Sequence, residues 1–465
     1  MWIFRMVVLL IVHTGIHLTG WIDWGSGAAA KPSSPLEERA QLVAGANEVR
    51  PPPERESLRP FWRSSPGSTT SFAASSYQES SGDGFHFERF IVSPINLPPQ
   101  QVVVGDVSGD RRNDIVVVQN DWSVNNDPKV RVEIHAQNAD GTLAPPIDYE
   151  ILADGVSGTL ELADLDGDGL LEILVAAGNK LTIFRKAMVG YSHTSFLGIA
   201  AASSLAVIDA DGDGAQDIVA QSWSHGADIY LGNGRGGVGS VLHMDTPAMG
   251  YNTLETSDFT ADGFADLVMT NGQGWEKVWI YPFTPYGLAA PISVDLTSVT
   301  ANTISGMTVA DIDRDGRPDL VVADEGDDIA PKGIHIMYRG TENQFRDKEF
   351  LEFTGPDERP GAVRVADVDG NGYPDIITMI NSNDEMAYFL QGPSGFASPV
   401  IQKTDDDPST NNIYLDNSFV IADVNSDRCP DVVLAEQSSS LRTFYGRSCQ
   451  VPEPRTGGPS APGRL

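Results

Sequence analysis

The chain has 465 residues and a formal net charge of −33, with 46 glycines, 30 prolines and two cysteines. An acidic excess of that size repels nucleic acid and anionic lipid surfaces, so neither is an expected partner. The length suffices for a large core, and a low cysteine count rules out a small disulfide-built scaffold.

The chain opens Met1-Trp2-Ile3-Phe4-Arg5, continues apolar, and reaches Gly25-Ser26-Gly27-Ala28-Ala29-Ala30. One early cation, an apolar middle and small residues at the end form the order of an export signal. A signal peptide is therefore expected over residues 1–30, with a secreted or cell-surface location. His13, His17 and Asp23 weaken the alternative, an uncleaved anchor, which would be the chain's only membrane contact. Residues 31–82 and 451–465 are rich in Pro, Ser and Gly, with too few apolar residues to offset chain ordering; a disordered linker and tail are expected there.

Between them, one nine-residue pattern recurs seven times. Oxygen-bearing side chains fall at its first, third, fifth and ninth places: Asp106, Ser108, Asp110 and Asp114; Asp164, Asp166, Asp168 and Glu172; Asp209, Asp211, Asp213 and Asp217. The later copies are Asp258, Thr260, Asp262 and Asp266; Asp311, Asp313, Asp315 and Asp319; Asp367, Asp369, Asn371 and Asp375; and Asp423, Asn425, Asp427 and Asp431. Five copies have Gly at the sixth place, which supplies the left-handed turn that lets carboxylates converge on one point. Hard cations such as Ca2+ take ligand sets of this kind, so up to seven Ca2+ are expected. Ser108 and Asn425 at the third place, with Arg111 and Arg428 at the sixth, make the first and seventh sites the weakest. Three or four carboxylates crowd each turn, so metal binding and folding should be coupled.

Each loop lies between two short apolar runs, such as Leu160-Glu161-Leu162-Ala163 before and Ile173-Leu174-Val175-Ala176 after. These read as strands. An EF-hand is rejected, because it needs flanking helices and Glu at the twelfth place, where Val117, Val175, Ala220, Met269, Val322, Thr378 and Leu434 stand. A third strand is expected at Lys129–His135 and a fourth at residues 147–151. The loops begin 45 to 58 residues apart, which fits four strands per repeat. The expected fold is all-β: a seven-bladed β-propeller over residues 83–450, with four-stranded blades and Ca2+ loops between first and second strands.

The seventh repeat ends before a fourth strand, whereas residues 84–92 have that pattern ahead of the first loop. One blade shared by both ends of the domain would close the ring and remove an exposed edge. Cys429 and Cys449 sit in and just after this blade; with an export signal, a disulfide is expected, two buried thiols being the alternative.

With these residues in view, the repeats resemble the FG-GAP/VCBS type, found in integrin alpha-subunit propellers and in many bacterial secreted proteins. The literal Phe-Gly and Gly-Ala-Pro signatures are not evident. The resemblance implies fold more than function, since such propellers host adhesins, lectins and polysaccharide lyases. It also implies that ligand binds opposite the calcium loops. Loops on that face carry Asn120, Trp122, Trp223, Asn271, Trp275 and Asn381, a mixture of flat apolar rings and amides suited to sugar or protein recognition. The same tryptophans would serve equally to cap blade interiors. No His-Glu-x-x-His or phosphate-binding glycine loop in a strand–helix setting is present. Expected, then, is non-catalytic recognition of a glycan or an extracellular protein by a monomer, with a lyase-like polysaccharide enzyme as the alternative.

Overall fold

The computed structural model describes residues 84–121, 129–152, 158–197, 202–222, 226–246, 253–270, 277–296, 304–326, 332–340, 345–353, 358–381, 384–405, 418–436 and 439–450. All belong to a compact unit spanning Val49–Leu465; a second unit, Met1–Glu48, lies outside the described residues. The expected signal peptide, linker and C-terminal tail also lie outside them. Among the described residues no helix is long and apolar enough to cross a membrane.

Seven four-stranded antiparallel sheets form the blades of a propeller ring. Blade 1 consists of Pro99–Gly105, Asp114–Asp121, Lys129–His135 and Ile147–Leu152. Blades 2 to 6 keep this chain order, beginning at Gly158–Ala163, Ala202–Ile208, Leu254–Ser257, Ile304–Ala310 and Pro360–Ala366, with a two-stranded hairpin inserted before the fourth strand of blades 4 and 6. The first strand of each blade touches the first strands of both neighbours, from blade 1 round to Phe419–Ala422 of blade 7 and back. Every acidic loop joins a first strand to a second, so all seven lie on one face of the ring. Turns between second and third strands lie on the other.

The packing follows from residue pattern. Second strands such as Glu172–Ala177 and Asp431–Glu436 are buried along their whole length, and carry the β-branched runs seen in the sequence. Their alternate faces feed different cores. Val175 packs with blade 1 residues such as Val118 and Val130, while Leu174 and Ala176 pack with Leu205 and Ile218 of blade 3. Seven apolar clusters result, one at each junction between blades.

The ring closes on blade 7. Its fourth strand comes from the N-terminal side of the domain, as expected, but it is Ile91–Pro94, pairing Ile91 with Thr443 and Pro94 with Ser440. The expected strand over residues 84–92 is split in two. His86–Phe87 instead pairs with Gly446–Arg447, because Phe85 and Phe87 turn edge-on to each other and to Tyr388 of blade 6. The two cysteines form a disulfide, Cys429–Cys449, with Cα atoms 5.7 Å apart.

Candidate metal centres

The seven loops share one backbone conformation. Sixth-place residues have positive φ throughout, from 85° to 90° at Gly169, Gly214, Gly263, Gly316 and Gly372, and 68° and 73° at Arg111 and Arg428. Fourth-place residues are left-handed as well, including Ala261, Arg314 and Ser426. A left-handed non-glycine costs about 1–2 kcal/mol, so the wrap is held by something other than its glycines. The first-place aspartate does this. In all seven loops one of its oxygens accepts the sixth-place amide at 2.6–3.0 Å. Side-chain acceptance of backbone amides is the usual way Asp fixes a turn.

The ninth-place carboxylate has a different task. In six loops one oxygen accepts the second-place amide, as from Val107 to Asp114 and Ala210 to Asp217; in the fourth, Asp266 accepts from Thr260. The other oxygen accepts an amide at the end of the third strand, from Gln137, Gly232, Phe283, Arg339, Gln391 or Gly446. Glu172, one carbon longer, meets Arg185 Nε at 3.5 Å instead. Each ninth residue therefore clamps its loop to its blade. Burial pushes the carboxyls up, to about 6 in Asp217 and Asp319 and to about 7 in Asp375 and Asp431.

Four loops gather three carboxylate oxygens within 4.8 Å of one another. These are Asp164, Asp166 and Asp168; Asp209, Asp211 and Asp217; Asp311, Asp313 and Asp315; and Asp367, Asp369 and Asp375. Each cluster can hold a metal ion. Asp367 Oδ1 in the sixth loop is buried without a hydrogen-bond partner. An orphaned oxygen of this kind costs about 1–3 kcal/mol unless a cation or water satisfies it. An all-oxygen donor set with an unsatisfied member fits a hard cation such as Ca2+.

Three arginines, not anticipated from the sequence, complicate the picture. Arg112 and Arg317, both at seventh places, pair with the fifth-place Asp110 and Asp315 of their own loops. Arg447, from beyond the seventh loop, pairs with Asp427. Only the fifth of these three loops also gathers three carboxylates. Asp166→Ala or Asp211→Ala should therefore cost about 2–3 kcal/mol in calcium, roughly what one site near saturation contributes. Ser108→Ala should cost less. Chemical denaturation of the three variants checks the ranking, and equal losses would refute it.

Of the residues expected on the opposite face, Trp122, Trp223, Asn271 and Trp275 lie outside the described residues. Asn120 is buried at the end of its strand, with Oδ1 unpartnered. Asn381 is half-buried and donates through Nδ2 to Glu325 Oε1 at 3.1 Å, joining blade 6 to blade 5. Burial raises the Glu325 carboxyl, against the opposing influence of Asn381 and of Arg359. Beside it, Asp324 accepts the Gly326 amide at 2.9 Å and meets His335 Nε2 at 3.4 Å.

A family model for FG-GAP-like repeats matches residues 106–175, 164–220 and 258–322. No curated protein sequence matches the chain. Among solved structures, an Agrocybe aegerita lectin, described by its specific recognition of non-reducing terminal N-acetylglucosamine, is 18% identical; the alignment covers 67% of this chain and 81% of that one, with a TM-score of 0.48. The WD40 domain of Toxoplasma gondii coronin is 9% identical over 80% of this chain and 88% of its own, with a TM-score of 0.49. The Photorhabdus luminescens Tc holotoxin pore is 17% identical over 76% of this chain but only 19% of that one, with a TM-score of 0.38.

Proposed function

From the premise that the chain is an FG-GAP-repeat propeller, we propose that it is a secreted or surface-displayed recognition module, stabilised by Ca2+, that binds a glycan or an extracellular protein without transforming it. The observation that carries this reading is the Glu325–Asn381 pair opposite the acidic loops. An amide and a carboxylate are held half-buried and mutually oriented across two blades, with Arg359 close enough to act on the same carboxyl. Oriented acceptors and donors at the mouth of a ring of rigid sheets suit the hydroxyls of a sugar or the backbone of a peptide. The acidic loops serve the scaffold. Asp164, Asp166 and Asp168, with their counterparts at Asp209, Asp311 and Asp367, would hold Ca2+, which when bound supplies the positive charge that their mutual repulsion calls for.

The test is a glycan and extracellular-protein array probed with the calcium-loaded chain. Binding should be found, and Glu325→Gln with Asn381→Ala should weaken it at least tenfold while the melting temperature falls by only about 1–2 °C. Incubation with polysaccharide panels distinguishes the alternative: unsaturated-product absorbance would mean a lyase. Silence on the array together with product formation would overturn the proposal.

A further inference from the structure

We infer that the seventh loop, Asp423 to Asp431 in the repeat, is a metal-free clasp: Arg447 supplies the cation and the Cys429–Cys449 disulfide supplies the cross-link, together fastening both ends of the domain to blades 6 and 7. The inference departs from the expectation of a weak calcium site there. It does not depend on the other loops taking metal.

Charge comes first. Arg447 Nη1 pairs with Asp427 Oδ2, while its Nε and Nη2 reach Glu88 Oε1 and Oε2 at 2.8 and 3.0 Å. One guanidinium thus joins the fifth-place carboxylate to the segment that precedes the first blade. The two-pronged contact with Glu88 is the geometry that arginine favours with a carboxylate. Asn425 Nδ2 adds a second donor to Asp427 Oδ2 at 3.1 Å, and Asn425 Oδ1 already accepts the Asp427 amide at 2.8 Å. A divalent ion beside this arginine would meet like charge, whereas no arginine pairs with the fifth-place residue of the second, third, fourth or sixth loop among the described contacts. Arg112 and Arg317 also pair with fifth-place aspartates, but each lies two residues away in its own loop, and the fifth loop still gathers its three carboxylates. Asp423, Asp427 and Asp431 form no such group. None of the ligand-place oxygens of the seventh loop is among the buried unpartnered atoms of the described residues.

Bracing comes second. The space around the sixth-place glycine is open in the second to sixth loops, with nothing within 4 Å of a Cβ built there. The seventh loop is gripped on several sides. Blade 1 holds it through Asn113 Nδ2 to the Asp423 carbonyl at 2.9 Å and through Gln137 Oε1, which accepts Ser426 Oγ at 2.7 Å. At its seventh place stands Cys429, half of the disulfide. The disulfide from Cys429 carries the chain end onto the sixth loop, where the Gln450 amide donates to the Asp369 carbonyl at 2.6 Å. That approach is close: a Cβ on Gly370 would lie 2.2 Å from the Gln450 carbonyl oxygen.

The experiment counts calcium on the full-length oxidised chain by native mass spectrometry and records melting temperatures in calcium and in chelator. Asp427→Asn should leave the calcium count unchanged and lower both melting temperatures equally, by about 1–2 °C, because the bridge it breaks is present in both. A count lower by one, or a loss confined to calcium, would overturn the inference. Should Asp427→Asn fail to fold, Glu88→Gln gives an independent reading, since it alters no loop residue. It should lower the melt equally in both conditions, and an unchanged melt in chelator would refute the clasp. Asp166→Asn is the control for the calcium reading. If it too leaves the count unchanged, that reading fails while the clasp is still judged by the melts in chelator.

Discussion

Stripping metal from the folded chain should lower its melting temperature by about 10–15 °C. One site at a hundred times its Kd stabilises a fold by about 2.7 kcal/mol. Three or four such sites, spread over a domain of this length, give a shift of that order when unfolding entropy scales with residue number. The clusters at Asp164, Asp209, Asp311 and Asp367 are the sites concerned. Scanning calorimetry with and without chelator measures the shift, and elemental analysis reports the metal. An unchanged melt with no bound metal would sink the idea.

The size of that shift should depend on pH. Burial raises Asp217 and Asp319 to about 6, and Asp375 and Asp431 to about 7, above the ordinary aspartate value of 3.8. A carboxyl raised in the folded state stabilises most below its unfolded value, and that contribution is lost as pH climbs through the folded value. The metal-free chain should accordingly lose stability from these groups between about pH 4 and pH 7. Metal binding to Asp217 and Asp375 must displace their protons, so calcium should stabilise more at pH 7.5 than at pH 5. A calcium-induced shift of equal size at both pH values would show that the ninth-place carboxylates take no part in binding.

Much of the fold is legible in the sequence because two local rules repeat in phase. Gly after the fifth-place residue marks five of the seven turns, and β-branched runs on either side mark strands whose burial is two-sided. The third strand of blade 1 falls at Lys129–His135, and the fourth ends at Leu152, one residue past expectation. What stayed hidden depends on residues that meet only after folding. Arg447 lies 20 positions from Asp427, and its other partner, Glu88, belongs to the opposite end of the domain. Likewise the sequence marks the ninth carboxylates as candidate ligands but does not show that, in six of them, one oxygen meets an amide 15 to 23 residues further on. The split near Glu88 coincides with a break in the alternation at Glu88-Arg89, but what draws Phe85 and Phe87 away, the ring of Tyr388, is brought there only by folding.

Deleting residues 31–94 should cost the domain far more than deleting residues 31–82. The shorter deletion removes a Pro- and Ser-rich stretch with little to bury, and the melting temperature should stay within about a degree. The longer one removes Ile91–Pro94 and bares the backbone of Ser440–Phe444, an unpaired edge that invites association with other chains. It also takes Phe87, 4% exposed, out of the cluster between blades 6 and 7, where losing a buried Phe costs about 3–5 kcal/mol. Glu88 goes with it, so Arg447 keeps Asp427 but no longer ties the seventh loop to the N-terminal segment of the domain. The longer truncation should therefore melt several degrees lower and aggregate on concentration, which light scattering and calorimetry on the two proteins will show. If the two behave alike, the pairing of Ile91 with Thr443 contributes nothing to closure, and the ring is held by contacts between its innermost strands.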